Sequence, residues 1–326
     1  MTSVRERLSE HPAAASALAG VLLLALASLR QPAMLSGRVL IDVVEDNAAL
    51  GLLALAASWA ILSGGIDLSV GAVLSLASIA LAALIEHAGC APVPAVGLVL
   101  LGGLAFGAAM GACVHALELP PFLVTLAGLF LARGLALRVH VEALAIRDAE
   151  WTRWTALGLD LGAWGRITLA APLFLGAVLA CVWALGQTRF GRNVRAIGGG
   201  FELARLAGVP VGVTRVGTYA VSGLLASAAG VVHALYTGAG SSIAGTGLEL
   251  DAIAAAVVGG ASLAGGAGGA LGTLFGVLFF GGLQTFLIFE GTLSAGWARA
   301  ASGALLLAFL ALARWTRSVP RRRLPA

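Results

Sequence analysis

Apolar runs long enough to cross a bilayer recur along the whole chain, separated by short polar or glycine-rich breaks. The first, His11 to Leu29, follows a polar start carrying Arg5 and Arg7. Gln31 to Asp46 is mixed in polarity and is expected at the outer surface. Asn47 to Ser63 is apolar, Gly64 and Gly65 break it, and a second run extends from Leu68 to Ile85 after Asp67. Further spans are expected at Val93–Ala116, Phe122–Val139, Ile167–Leu185, Val216–Leu235, Gly268–Phe289 and Trp297–Leu312. Leu119-Pro120-Pro121 marks a turn, because proline opens helices well and continues them badly. Asp251 to Val258 is shorter and ends at Gly259-Gly260, so it reads as a broken helix or as the centre of a span that borrows from both flanks. At roughly twenty residues per crossing, the pattern predicts about ten transmembrane helices. The predicted fold is all-α, polytopic, and one transmembrane domain over residues 1–326.

The polar stretches set the orientation. The N-terminus, the segment 187–215 and the tail with Arg314, Arg317 and Arg321 to Arg323 are strongly basic. About ten spans with both termini inside place all three in the cytoplasm, as the positive-inside rule requires. His140 to Arg166 then faces outward as an extramembrane loop with interfacial tryptophans (Trp151, Trp154, Trp164), its arginines offset by acids. A faint internal repeat runs through the chain: Gly64-Gly65-Ile66-Asp67-Leu68 and Gly71 match Gly259-Gly260-Ala261-Ser262-Leu263 and Gly266 in spacing. Paired helix breaks in two halves of a transporter often mark the pathway.

Composition removes several function classes. Of 326 residues, 59% are hydrophobic and 11% charged, against roughly a quarter charged in soluble domains. The net charge of +4 is spread over membrane edges, so nucleic acid is not an expected partner, whereas membrane lipid is. The chain has no lysine. A Walker A loop and a Schiff base both need one, so neither is available here. Cys90, Cys113 and Cys181 form no CxxC and read as packing residues; the histidines show no ligand spacing, so neither a metal site nor a catalytic pair is expected. A cleaved signal peptide with Ala25-Leu26-Ala27 as its motif is the alternative reading of the first run.

Two segments carry candidate chemistry. A carboxylate near a membrane helix costs about 2.5–3.5 kcal/mol at mid-bilayer unless compensated. Asp67 is expected to be compensated locally, as an N-cap accepting from the amide of Ser69 or Val70, with Gly64 and Gly65 supplying the turn; gating or lining the route is its functional alternative. The other segment runs from Gly191 to Gly208. Three glycines precede a short helix, Phe201 to Ala207, on which Leu203, Ala204 and Ala207 share one face and Glu202 and Arg205 the other. Such a stub is either a solvated loop helix or an element that another protein grips. Asn47, Ser63, Ser69, Thr125 and Ser222 are candidate hydroxyl or amide partners for a polar cargo, each equally able to bond its own helix backbone. Asp46, Glu249 and Asp251 read mainly as interface markers.

These segments resemble the permeases of binding-protein-dependent sugar importers of the ribose, xylose and galactofuranose kind. The resemblance is carried by Ile61 to Gly71, Leu119 to Gly134, Phe190 to Gly208 and Leu248 to Gly272, over about residues 40 to 312. Asp46 to Gly71, Thr292-Leu293-Ser294 and the loop near Gly238 look most like the second galactofuranose permease. Gly200 departs from the asparagine of many relatives. The resemblance implies a path formed with a second permease copy or paralogue, a periplasmic sugar-binding protein outside and a sugar-type ATPase inside that carries the ATP and magnesium. It implies that Phe201, Glu202, Ala204, Arg205 and Gly208 form the coupling motif and that the subunit itself is non-catalytic. It also implies alternating access for a neutral monosaccharide in the bacterial inner membrane. The rival reading is an ion-coupled secondary transporter or channel, which would explain broken helices but not a docking stub. A membrane enzyme is a weaker third, because no catalytic constellation accompanies it.

Overall fold

In a computed structural model of the chain, the described residues are 12–290 together with 303 and 304. The expected span Trp297–Leu312, Thr292-Leu293-Ser294, and the charged ends with Arg5, Arg7 and Arg314 to Arg323 therefore lie essentially outside them. The helices are α1 (Pro12–Arg30), α2 (Gly37–Asp46), α3 (Ala48–Leu62), α4 (Val70–Glu86), α5 (Pro92–Ala116), α6 (Pro121–Val139), α7 (Ala149–Ala156), α8 (Ala170–Gln187), α9 (Arg189–Gly199), α10 (Phe201–Leu206), α11 (Val211–Thr237), α12 (Leu248–Val258) and α13 (Ala270–Glu290). Among the described residues the only strands are short: β1 (Leu144–Ala145) pairs antiparallel with β4 (Ala239–Gly240), and β2 (Gly158–Asp160) with β3 (Arg166–Thr168).

The long helix α11 is the hub. Of its most apolar stretch 72% is buried, against 22% for α5. It packs on α3, α4 and α5. The α5 contact is made by glycine: Gly103, Gly107 and Gly111 recur every fourth residue and are all buried. A Cβ on Gly107 would overlap the Tyr219 carbonyl, and one on Gly111 would lie 2.8 Å from the Val216 Cα. Small residues at this spacing let two backbones touch, which is how membrane helices gain packing energy without a hydrophobic drive.

Among the described residues five helices, α5, α6, α8, α11 and α13, are long and apolar enough to cross a bilayer, whereas Ala48–Leu62 and Val70–Glu86 are shorter. Fifteen residues of α3 rise only about 22 Å, short of a hydrocarbon core of about 30 Å. The helix escapes the requirement because protein surrounds it: nearly every residue of α3 is buried. The internal repeat survives as a plan rather than residue by residue. Helix–break–helix occurs twice, at 63–69 and at 259–269, but positive φ falls at Gly64 in the first and at Gly260, Gly265, Gly266 and Gly268 in the second.

Several element limits differ from the hydropathy reading. Ile167 and Thr168 belong to β3, not to the span after them, because Glu45 of α2 holds Thr168, taking its N–H at 2.7 Å as well as its hydroxyl. Helix α11 starts at Val211, inside the segment expected to be loop, and α12 starts at Leu248 rather than Asp251. Gln31 to Asp46 forms a 3-10 turn and α2, and Trp151 is not interfacial: it is fully buried with Leu81, Ile85, Ala95 and Val231. Trp164 is exposed. Ala25-Leu26-Ala27 lies inside α1, which packs on α13. Cys181 is buried and its Sγ accepts from the Trp59 indole at 3.3 Å.

Gly107→Ala is expected to cost about 1–3 kcal/mol through overpacking, outweighing the gain of about 1 kcal/mol from better helix propensity. Gly97→Ala and Gly102→Ala, whose added methyl meets nothing within 4 Å, should be neutral or slightly stabilising. Denaturant unfolding of the three variants in detergent micelles checks the order.

Candidate functional site

The first helix break closes around a carboxylate. Helix α3 ends at Leu62, and the Gly65 amide turns back to the Ala60 carbonyl at 3.0 Å. Gly64 takes φ +83°, open to glycine and costly for other residues. Asp67 follows, 3% exposed. Its Oδ1 accepts from the Ser69 amide at 2.9 Å and the Ser69 hydroxyl at 2.6 Å, and its Oδ2 accepts from the Ser222 hydroxyl of α11 at 2.6 Å. The bond to the Ser69 amide is the one expected from the sequence. The helix nevertheless begins two residues later than an Asp67 cap would require: Ser69 is the cap residue and α4 starts at Val70. Asp67 is thus an anchor between the break and α11, not a helix cap.

A second clasp completes the break. The Thr125 hydroxyl of α6 donates within reach of the Ile66 and Pro121 carbonyls, both at 3.0 Å, and accepts from the Leu68 amide at 3.2 Å. Asp67, Ser69, Thr125 and Ser222 therefore form one buried knot tying α4, α6 and α11. Tyr219, one turn before Ser222, is 1% exposed and its hydroxyl has no hydrogen-bond partner among the described residues; a Cβ on Gly65 would overlap that hydroxyl. Sequence reasoning missed Tyr219. Its only signal was its spacing from Ser222 on a helix whose facing partner could not be read.

The other candidates lie elsewhere or serve the backbone. Asn47 sits at the opposite end of α3 and donates from Nδ2 to the Val43 carbonyl at 2.8 Å. Ser63 donates to Ala60 O at 2.8 Å. The 239–247 loop is stapled along α4: Gly245 N donates to the Ser75 hydroxyl at 2.9 Å, and Ser78 Oγ bridges Ser241 N and O at 3.2 and 3.1 Å. Arg133 of α6 reaches Ser75 Oγ at 3.1 Å, a half-buried polar contact not foreseen. Among the described residues no group of three or more His, Cys, Asp or Glu is placed to hold a metal ion.

The stub forms at the same end of the bundle as the break. Thr188 caps α9 through the Gly191 amide at 3.0 Å, and Gly200 joins α9 to α10. Faces on α10 differ from the sequence expectation. Ala204 is buried, but Leu203 is 73% exposed and Leu206 82%, on a surface shared with Glu202 and Arg205. Phe201 turns inward instead, under the Arg215 guanidinium at 4.4 Å from its ring centre. Gly208, at φ +78°, ends the stub.

The sequence profile of the family described as branched-chain amino acid transport system / permease component matches residues 39–310. The inner membrane ABC transporter permease protein YjfF of Escherichia coli (strain K12) is 43% identical over 283 residues, 87% of this chain and 86% of that protein. The ribose import permease protein RbsC of the same strain is 34% identical over 284 residues, 86% of this chain and 87% of that protein. The xylose transport system permease protein XylH of that strain is 32% identical, with 89% and 87% covered.

Asp67→Ala leaves the Ser69 amide and hydroxyl and the Ser222 hydroxyl without their acceptor, and should lower stability by about 2–4 kcal/mol. Asp67→Asn keeps one oxygen and should lose less than half of that. Unfolding of both variants in micelles checks the ranking; equal loss would mean that the acceptor count is not what matters.

Proposed function

The chain belongs to the branched-chain amino acid transport system / permease component family, among sugar ABC permeases of the ribose and xylose type in the inner membrane, and from that premise we propose how it works. It is the non-catalytic, membrane-spanning subunit of an ATP-binding-cassette importer that moves a monosaccharide into the cytoplasm by alternating access. A separate sugar-type ATPase holds the ATP and magnesium and docks on the exposed face of α10, within the 187–215 segment. A periplasmic sugar-binding protein delivers cargo to the opposite end, where the 140–168 and 238–247 segments lie. Galactofuranose is the finer candidate cargo, supported by the Asp46–Gly71 run.

The observation that carries this reading is the surface of α10. Two leucines exposed beside Glu202, Arg205 and Gly208 make an apolar patch with a charged rim, the composition of a site that another protein covers. Burying two leucines stabilises a contact by about 3–6 kcal/mol before association costs. An ion-coupled carrier has no use for such a patch.

The sugar path is formed with a second permease, identical or paralogous. Two clefts of about 430 and 410 Å³ in the single chain are walled by side chains such as Val73, Leu98 and Phe106 or Leu52, Leu100 and Leu173, which offer a hydroxylated cargo little to bind. In this reading Gly64, Gly65, Asp67, Ser69, Thr125 and Ser222 act as a gate that moves as one body, because their donors and acceptors are already engaged with one another. Asn47 and Ser63 support their own helices.

The double variant Leu203→Asp/Leu206→Asp should reduce co-purification of the ATPase at least about tenfold, the worth of about 1.4 kcal/mol, while leaving the unfolding midpoint of the permease unchanged. A cysteine at Arg205, with Cys90 and Cys113 replaced by alanine, should react with an impermeant maleimide only from the cytoplasmic side. Retained ATPase, or labelling only from the periplasm, defeats the reading.

A further inference from the structure

The docking segment and both helix breaks meet at a single backbone junction. Helix α9 is anchored on α3 at each of its ends. Near its start, Phe190 stacks on Trp59 with ring centres 5.4 Å apart. At its end, Gly198 presses on the last residue of α3: a Cβ there would overlap the Leu62 carbonyl and stand 2.5 Å from the Gly266 nitrogen. The Gly266 amide itself donates to the Leu62 carbonyl at 3.0 Å. A Cβ on Gly265 would lie 2.6 Å from the Gly198 carbonyl, and one on Gly266 would lie 2.8 Å from the Gly199 Cα.

Leu62 ends its helix, so its carbonyl has no partner further along α3. It is closed instead by an amide from the other break, with the coupling helix wedged beside the bond. No side chain intervenes, so no rotamer change can absorb a displacement. Backbone packed on backbone moves as a unit or separates.

We infer that this glycine junction is the link through which a shift of α9–α10 moves both helix breaks together, with Gly198 as its positioning residue. The inference rests on the docking reading of α10 and goes beyond it. It assigns the transmission to Leu62, Gly198 and Gly266, none of which touches the patch. The neighbouring Gly199 supplies the control, because a Cβ there meets nothing within 4 Å.

The test uses the assembled permease–ATPase complex in nanodiscs, trapped with ATP and vanadate, with hydrogen exchange followed along the permease. In the wild type, peptides covering 62–68 and 262–268 should change exchange rate on trapping by at least about threefold, together with those covering 198–208. Gly198→Ala should still co-purify with the ATPase and hydrolyse ATP within about twofold of wild type, but lose the response at both breaks while keeping it at 201–208, a loss of coupling in the usual range of about 5- to 150-fold. Gly199→Ala should behave as wild type. A wild type whose 198–208 peptides respond while the two breaks stay silent overturns the inference without any variant, as does a Gly198→Ala complex with both breaks still responding, or equal loss in Gly199→Ala. If the wild-type chain does not retain the ATPase at all, it is the docking reading that fails.

Discussion

Inside a bilayer a peptide group that leaves a helix has no water to turn to, and each unsatisfied amide or carbonyl costs several kcal/mol. That constraint orders this molecule more than any other. Wherever the chain interrupts a helix it supplies an internal partner. Gly65 turns back to Ala60, Leu68 donates to Thr125, Ser69 to Asp67, Gly266 to Leu62, Ser262 to Ala267 and Gly245 to Ser75. The polar residues that look conspicuous in an apolar sequence are mostly where the backbone needs them.

The same constraint decides what those residues can do for a cargo. A hydroxyl already giving its proton to a carboxylate and a carboxylate already holding three donors have little left to offer a passing sugar. The knot at Asp67 is therefore better suited to hold α4, α6 and α11 in one arrangement than to bind substrate. In the proposed reading a polar route for a sugar comes from pairing two permeases, and the glycine-lined α5–α11 contact packs the hub backbone to backbone within each.

Much of this was legible in hydropathy. The apolar runs, the proline turn at Pro120-Pro121 and the two glycine breaks lie close to where helices start and stop. So was the Asp67–Ser69 bond, because it is local. What hydropathy could not show depends on contacts far apart in sequence. Ile167 is apolar enough for a span, yet Glu45 draws its neighbour into a strand. Arg215 looked like loop, but α11 begins before it and its guanidinium lies over Phe201. Periodicity put Leu203 on one face of the stub with Ala204 and Ala207, opposite Glu202 and Arg205, yet Leu203 is exposed beside those two. A helix of six residues is too short for its own pattern to fix which side is covered, and Phe201 took that place. Tyr219 and Gly198 were silent, since a residue's meeting with another break leaves no trace in its own neighbourhood.

The two ends of the bundle are fastened by different chemistry, and the difference bears on how force travels. At the end away from α9 flexible side-chain tethers stand beside the short β1–β4 ladder: Glu45 to Thr168, Glu86 to the Arg147 and Asp148 amides at 2.6 and 3.1 Å, and Tyr236 to Asp46 at 2.7 Å. Each can lengthen or re-form through a rotamer change or through water. Beside α9, next to the side-chain knot at Asp67, the Leu62–Gly266 bond is carbonyl to amide with Gly198 wedged alongside, and no rotamer change can lengthen that one bond. In the proposed reading, a junction that is stiff on the side gripped by the ATPase, with compliant tethers at the other end, passes a small push to both helix breaks. The reverse arrangement would dissipate the push in side-chain motion before it reached either break.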